Sequence, residues 1–171
     1  TIPQAVVKHF SDSYFGMSSF ITKLNPDNPV FDFGSGNGFP GIIAAMMIPN
    51  QKVILVERDQ RKSEFLKIAA AQLNLPNVEV YGGNLNHLKE GSVHTAISRA
   101  MAPLPKFLLE TRECVNAGGV VYLFKGEHWM RELSEVPPQL FDFWNVELDS
   151  SYLLADKDTE RVIIRCERVQ N

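Results

Sequence analysis

Four glycines occur within the eight residues 34–41, directly after the short apolar segment 30–33. Glycines let the backbone approach a ligand closely and adopt turn conformations that other residues avoid. A run suited to a helix follows at residues 42–48, and the free N–H groups at a helix start favour carboxylate or phosphate groups. The spacing therefore predicts a small-ligand site at this glycine loop.

Two acidic residues accompany the loop. Asp32 lies within the first apolar segment, and Glu57 ends the second one, residues 53–56. A carboxylate at the end of a buried strand needs a partner, and it can accept hydrogen bonds from both hydroxyls of a ribose. A nucleoside-containing cofactor is the expected ligand, and a helix-capping or salt-bridge role is the alternative for Glu57.

Two cofactors fit this arrangement. Gly36-Asn37-Gly38-Phe39-Pro40-Gly41 matches the dinucleotide pattern GxGxxG, with Glu57 at a suitable distance. The broader pattern Asp32-x-Gly34-x-Gly36-x-Gly38 resembles the first motif of class I methyltransferases. That resemblance implies that Asp32 and the loop address the amino-acid part of S-adenosylmethionine and that Glu57 binds its ribose. A tight turn without a ligand is the third interpretation.

Polar residues also follow the later predicted strands. Arg99 comes directly after the fourth strand, where it could hold a guanine edge, a phosphate or a structural ion pair. Lys125 follows the fifth strand and is interpreted as a phosphate anchor, in preference to a base or an ordinary surface lysine. Arg161 opens a later strand, and His9 and Asp12 stand three apart on one helical face, where they could pair.

Strands and helices alternate through most of the chain, which predicts a mainly parallel sheet covered by helices on both faces. After Gly126 a helix and two strands joined by a loop predict an antiparallel hairpin at the sheet edge. The expected strands are 30–33, 53–56, 78–81, 95–98, 120–124, 143–148 and 161–168; the expected helices are 42–48, 59–73, 105–115 and 127–135.

Three regions of a single domain, residues 1–171, are expected. Residues 1–24 form a helical segment capped by Thr1 and stopped at Gly16 and at the turn 25–29; residues 29–126 form the cofactor-binding core; residues 127–171 form the C-terminal helix and hairpin. Within the core, Asp59 is expected to cap a helix, and residues 117–119 to form a turn. That helix has the apolar face Phe65, Leu66, Ala69 and Leu73.

Composition limits the possible functions. The formal net charge of −3 gives no general affinity for nucleic acid, although a local basic patch remains compatible with it. Cys114 and Cys166 form no CxxC motif, so neither a metal site nor a disulfide framework is expected. Without a long apolar run or a signal-like start, a cytoplasmic protein is expected.

A larger set of motifs narrows the assignment. Gly38-Phe39-Pro40-Gly41, Ser98-Arg99-Ala100, Lys125-Gly126 and Glu160-Arg161 occur in this order, after His9-Phe10-Ser11-Asp12-Ser13. The set resembles the GidB/RsmG family of bacterial methyltransferases, which modify N7 of a guanine in small-subunit (16S) ribosomal RNA. The resemblance extends from about residue 7 to residue 165.

This resemblance implies a Rossmann-like class I methyltransferase fold and S-adenosylmethionine as cofactor, with S-adenosylhomocysteine as product. The cofactor would meet Asp32, Gly34, Gly36, Gly38, Phe39, Glu57, Leu85, Asn86 and Arg99, with Leu85 and Asn86 beside the adenine. Arg99 and Lys125 are the expected catalytic residues, and His9, Lys125 and Arg161 the expected RNA contacts. A monomer is expected to act on ribosomal RNA, either free or within a ribosomal particle.

The missing motifs agree with that chemistry. Residues 98–103 contain no Asp/Asn-Pro-Pro-aromatic motif, which methylation of exocyclic amines uses, and no Pro-Cys pair for covalent attack on pyrimidines. Guanine N7 carries a free lone pair and needs no deprotonation. Two alternatives remain: an NAD(P)-linked oxidoreductase, although no Tyr-x-x-x-Lys follows the fourth strand, and an inactive S-adenosylmethionine-binding homologue.

Overall fold

The computed structural model describes residues 6–156 and 158–169, with side chains from residue 9 onward. Seven strands form one sheet in the order β3-β2-β1-β4-β5-β7-β6. The predicted cap at Thr1 lies outside the described residues. The strands are β1 Val30–Phe33, β2 Val53–Val56, β3 Val78–Tyr81, β4 Val93–Arg99, β5 Val115–Lys125, β6 Trp144–Leu153 and β7 Glu160–Arg168.

The first five strands are parallel, and β7 pairs antiparallel with both β5 and β6. The predicted parallel core with an edge hairpin is therefore confirmed. Strand order reverses between β1 and β4, which is where open α/β sheets place their ligands, beyond the carboxyl ends of the strands. The glycine loop, Glu57 and Arg99 all follow or end strands at this edge.

Helices cover both faces of the sheet, as predicted. The α-helices are α1 Asp12–Phe20, α2 Gly41–Met47, α3 Gln60–Gln72, α4 Leu104–Thr111 and α5 Trp129–Ser134; a π-helical turn, Val6–Ser11, precedes α1, and short 3-10 segments occupy Ile21–Lys23, Leu85–His87 and Pro138–Asp142. Buried residues of α1, α2 and α3 share one core cluster, whereas those of α4 share the other with Trp144 of β6.

Because successive side chains of a strand point to opposite faces of the sheet, β1 contributes residues to the core clusters on both faces. Val30 joins the cluster under α1, α2 and α3, whereas Phe31 and Phe33 join the cluster under α4. Asp32 has the parity of Val30, and its carboxylate accepts a hydrogen bond from Gly41 at the start of α2. A polar side chain is thus placed inside an otherwise apolar layer, directly beneath the glycine loop.

Several local predictions for the helices were wrong. Gly16 does not stop the N-terminal helix, because α1 continues through it to Phe20; an added Cβ there would clash with the Phe124 ring. Of the apolar face predicted for α3, Leu66 is buried, whereas Phe65 is 50% exposed and Leu73, directly after the helix, is 46% exposed. The other buried positions of the helix are Ser63 and Ala70. The sheet covers a narrower stripe of this helix than its apolar residues suggested.

The region after α4 also differs from its prediction. The helix ends at Thr111, and β5 already begins at Val115. The predicted turn at residues 117–119 is an irregularity within that strand, because Val93 pairs with Val115 whereas Thr95 pairs with Val120.

Candidate active site

A cavity of about 460 Å³ opens at the carboxyl edge of β1, β2 and β4. It brings together residues separated by up to about one hundred positions in the chain. Of the predicted site residues, its wall includes His9, Gly34, Gly36, Phe39, Glu57, Leu85, Asn86 and Arg99.

The glycine loop has the backbone conformation that its composition predicts. Gly34, Gly36 and Gly38 all have positive φ angles, of 71°, 55° and 92°. At Gly36 this conformation directs the N–H towards the Glu57 carboxylate, whose Oε2 accepts the hydrogen bond at 2.9 Å. A side chain at this φ would be strained, so glycine is the favoured residue here.

Glu57 is held at both oxygens and is 7% exposed. Its Oε1 accepts a hydrogen bond from the Asp59 N–H at 2.8 Å, while Oε2 accepts the one from Gly36. Each carboxylate oxygen has a further lone pair, so the group is fixed in place and is still able to accept hydrogen bonds from a ligand. The cap of α3 is Asp59, as predicted, since its Oδ1 accepts from the Lys62 N–H at 3.0 Å.

Asp32 is fully buried and is not part of the cavity wall. Its Oδ2 accepts from the Gly41 N–H at 3.1 Å, and its Oδ1 has no hydrogen-bond partner among the described residues. Burial raises the pKa of this carboxyl to about 7. Asp32 therefore lies beneath the loop and contacts its backbone at Gly41 rather than the cavity.

Arg99 is part of the cavity wall and lies in a cluster with aromatic residues. Its Nη1 donates to Asp12 Oδ2 at 3.2 Å, and its Nη2 is 3.0 Å from His9 Nδ1. The guanidinium carbon lies 5.8 Å from the centre of the Phe39 ring, on which His9 stacks at 5.7 Å. His9 and Asp12, predicted to pair with each other, are both in contact with Arg99.

Leu85 and Asn86 follow β3 and are part of the cavity wall. Leu85 is buried, whereas Asn86 is exposed. The Asn86 N–H donates to Asn84 Oδ1 at 3.1 Å, which fixes the short 3-10 turn that presents both residues.

Lys125 and Arg161 lie outside the cavity wall. The Lys125 ammonium donates to Glu132 Oε2 at 2.6 Å and to the carbonyl oxygen of Ala102 at 3.2 Å. Arg161 lies beside Gly126, where an added Cβ would be 3.2 Å from its Nη1. The structure therefore groups Arg161 with Lys125-Gly126, and neither cation is part of the cavity wall to which Arg99 belongs.

The cavity wall also includes residues outside the cofactor pattern: Arg58, Lys62, Met101, Lys106 and Glu110. The sequence could have predicted that Met101 reaches the cavity, because this residue follows Arg99 by two positions. It could not have predicted Lys106 and Glu110, because their placement depends on how α4 packs against the sheet.

Within the described part of the chain, no group of three or more His, Cys, Asp or Glu side chains is arranged to hold a metal ion. No helix described there combines the length and the apolar character needed to cross a membrane.

Comparison with known proteins agrees with this geometry. Residues 1–150 match the model of the GidB family, described as rRNA small subunit methyltransferase G. Ribosomal RNA small subunit methyltransferase G 3 of Bdellovibrio bacteriovorus is 36% identical over 170 residues, covering 99% of this chain and 76% of that protein. The corresponding protein of Paracoccus denitrificans is 32% identical over 158 residues, covering 92% and 78%.

Solved structures support the fold. A tRNA methyltransferase from Aquifex aeolicus superimposes with a TM-score of 0.70 at 16% identity, covering 94% of this chain and 69% of that one. A predicted O-methyltransferase from Agrobacterium tumefaciens gives 0.71 at 15% identity, covering 94% and 82%. The predicted class I methyltransferase fold is confirmed, as is the assignment to S-adenosylmethionine-dependent methyltransferases, and the chain belongs to the GidB family of rRNA small subunit methyltransferase G proteins.

Proposed function

We propose that this chain transfers the methyl group of S-adenosylmethionine to N7 of a guanine in small-subunit ribosomal RNA. One observation carries the proposal: the wall of a single cavity contains a fixed carboxylate and a glycine loop, together with a guanidinium beside an aromatic ring. The first pair suits a nucleoside cofactor, and the second suits a purine base.

The residues present fit the cofactor. The Glu57 carboxylate has acceptor capacity left for two ribose hydroxyls, and the loop backbone at Gly34 and Gly36 borders the same space. Leu85 and Asn86 are proposed to flank the adenine. The cavity volume of about 460 Å³ is ordinary for a small-molecule site. When bound, S-adenosylmethionine supplies a methyl group on a sulfonium, whose positive charge already activates the leaving group.

The remaining work of the protein is to place the guanine and exclude water. We propose that Arg99 donates a hydrogen bond to guanine O6, which leaves the N7 lone pair free for attack. Phe39 and His9, already stacked on each other, offer an aromatic surface for the base. N7 loses no proton in the reaction, so positioning suffices and no general base is needed.

RNA contacts away from the base are assigned by charge and position. Arg161, beside Gly126, is proposed to contact a phosphate. Lys125 is proposed to act indirectly, because its ammonium is bound to Glu132 and the Ala102 carbonyl. We further propose a cytoplasmic monomer that acts on an assembled particle, because ribosomal proteins would compensate for the net charge of −3.

Nucleoside mass spectrometry tests the reaction. The enzyme is incubated with S-adenosylmethionine and with free small-subunit RNA, small ribosomal particles or small metabolites in separate reactions. We expect 7-methylguanosine in the digested RNA, with a higher yield from particles. Methylation of small molecules alone, or of a different atom of the RNA, would contradict the proposal.

Calorimetry tests the cofactor separately. Titrations with S-adenosylmethionine, S-adenosylhomocysteine and NAD are run on the same preparation. The proposal requires binding of the first two. Binding of NAD alone would favour the oxidoreductase alternative, which shares the glycine pattern and the acidic strand end.

A further inference from the structure

Three polar side chains from distant parts of the chain meet behind the cavity. Asp12 comes from α1, Arg99 from the end of β4 and Tyr152 from β6. Asp12 Oδ2 accepts from Arg99 Nη1 at 3.2 Å, and Asp12 Oδ1 accepts from the Tyr152 hydroxyl at 2.8 Å. One carboxylate therefore joins the cavity arginine to the C-terminal hairpin.

Burial strengthens the hydrogen bonds of this network. The side chains of Asp12 and Arg99 are 8% and 16% exposed. A buried carboxylate that loses a partner has few waters to replace it, so both of its hydrogen bonds are strongly favoured. Burial and the negative charge of Asp12 both raise the pKa of Tyr152, so its hydroxyl stays protonated and remains a donor.

Only one of the three residues reaches the ligand space. Arg99 is part of the cavity wall, whereas Asp12 and Tyr152 are absent from it. The hydrogen bond from Arg99 to Asp12 therefore connects Asp12 and Tyr152 to the ligand space. A guanidinium is planar, so the direction of its N–H groups depends on which partner fixes its plane.

We propose that Asp12 and Tyr152 are positioning residues that orient the Arg99 guanidinium towards the guanine base. This inference rests on the proposed function, in which Arg99 contacts that base. Tyr152 provides the hydrogen bond that fixes Asp12, and Asp12 provides the charged acceptor that fixes Arg99. The C-terminal hairpin thus contributes to a site although none of its described residues is part of the cavity wall.

The same interface provides a matched control. Ser150 of β6 donates to Ser19 of α1 at 2.8 Å, and Lys23 pairs with Asp149 at 2.8 Å. These contacts also join the N-terminal helical segment to β6, and neither includes Arg99. Loss of the Ser150 hydroxyl therefore reports what weaker docking of α1 does by itself.

The experiment compares Tyr152→Phe with Ser150→Ala in the full chain. Steady-state methylation of small ribosomal particles gives kcat and KM, calorimetry gives the Kd for S-adenosylmethionine, and thermal unfolding gives Tm. For Tyr152→Phe we expect kcat to fall about tenfold, which is the effect of about 1.4 kcal/mol on the barrier, with the cofactor Kd unchanged. Ser150→Ala is expected to leave both constants unchanged.

A double-mutant cycle identifies the route of the effect. If Tyr152 acts through the arginine, Tyr152→Phe has no further effect on kcat in an Arg99→Ala background. Asp12→Asn is expected to lower kcat more than Tyr152→Phe does, because it removes the charged acceptor itself. Additive losses in the cycle, or equal losses from Tyr152→Phe and Ser150→Ala, would overturn the positioning role.

The wild-type sample separates this inference from the proposed function. If its digest contains 7-methylguanosine and Tyr152→Phe leaves kcat unchanged, the positioning role alone is wrong. If the wild-type digest contains no 7-methylguanosine, the proposed function is wrong and the positioning role is lost with it.

Discussion

Gly36 donates its backbone N–H to Glu57 Oε2 at 2.9 Å, so the loop after β1 and the residue after β2 form one unit. The carboxylate that is proposed to bind the ribose is thereby also an anchor of the glycine loop. Its loss would remove a ligand contact and release the loop at the same time.

Two substitutions of Glu57 are predicted to weaken S-adenosylmethionine binding to different extents. Glu57→Gln keeps an acceptor near Gly36, and we expect the Kd to rise about tenfold. Glu57→Ala removes the ribose acceptor and the loop anchor, and we expect a rise of about 100-fold or more, since a hydrogen bond to a charged group contributes about 1.5–3 kcal/mol. Calorimetry measures both.

Glu79 provides the control for this series. It lies on β3 and forms a solvent-exposed ion pair with Lys52, away from the cavity. Glu79→Ala is expected to change the cofactor Kd less than twofold. A similarly small change in Glu57→Ala would remove this residue from the cofactor site.

Asp32 is predicted to make stability depend on pH. Burial raises its pKa to about 7, whereas the unfolded value is about 4. The folded state therefore binds the proton more tightly, and the stabilisation present below pH about 4 is lost as pH rises through about 7. Asp32→Asn keeps an acceptor for Gly41 and removes the charge.

Denaturant unfolding of the two proteins from pH 5 to pH 8.5 measures this effect. Relative to wild type, we expect Asp32→Asn to gain up to about 1.4 kcal/mol of stability per pH unit until pH about 7, and then to level off. The nearby charges of Arg99 and Glu57, which lower and raise the pKa of Asp32, are present in both proteins. Parallel pH profiles would show that Asp32 does not titrate in this range.

Gly41 is predicted to tolerate no side chain. An added Cβ would clash with Leu55 and would lie 2.5 Å from Asp32 Oδ2. Gly41→Ala is therefore expected to destabilise the fold by about 2–3 kcal/mol, as overpacking of a core does, and to lower Tm.

Gly118 separates this clash from the general effect of adding a methyl group to a glycine. It has a φ of +78° and no neighbouring atom within 4 Å of an added Cβ. Gly118→Ala is expected to cost only about 1–2 kcal/mol, the strain of a left-handed conformation. If thermal unfolding found Gly41→Ala to be as mild, the close approach of α2 to β1 would be wrong.

The Lys125–Glu132 pair is predicted to be structural. Glu132 Oε2 accepts from both Lys125 Nζ and the Leu104 N–H, so the pair fixes the start of α4. Lys125→Met is expected to cost about 2 kcal/mol of stability. In a cycle with Glu132→Gln, most of that cost is expected to appear as coupling between the two residues.

RNA kinetics distinguish this role from direct phosphate binding. If Lys125 bound a phosphate, KM for RNA would depend more steeply on salt in wild type than in Lys125→Met. Glu132→Gln would then release the lysine and lower KM at low salt. We expect neither effect beyond twofold. A clear fall of KM in Glu132→Gln would show that Lys125 is available to RNA.

The sequence was sufficient for the fold class and for the strand ends at which the cavity lies. Alternating apolar runs determined the parallel core, and the spacing of Asp32, the glycines and Glu57 determined which strand ends meet. These features are local, because they depend on periodicity and on residues next to strand ends. The hairpin was predictable for the same reason, since only a loop joins its strands.

Only the tertiary structure decided what each polar side chain contacts. Asp32 lies beneath the loop rather than on the cavity wall, Lys125 is bound to Glu132, and Arg99 is fixed by Asp12. Tyr152 lies 140 positions from Asp12 in the chain, yet it donates to that carboxylate. No sequence periodicity encodes such contacts, because they depend on how separate helices and strands pack, and burial then determines which charges require a partner.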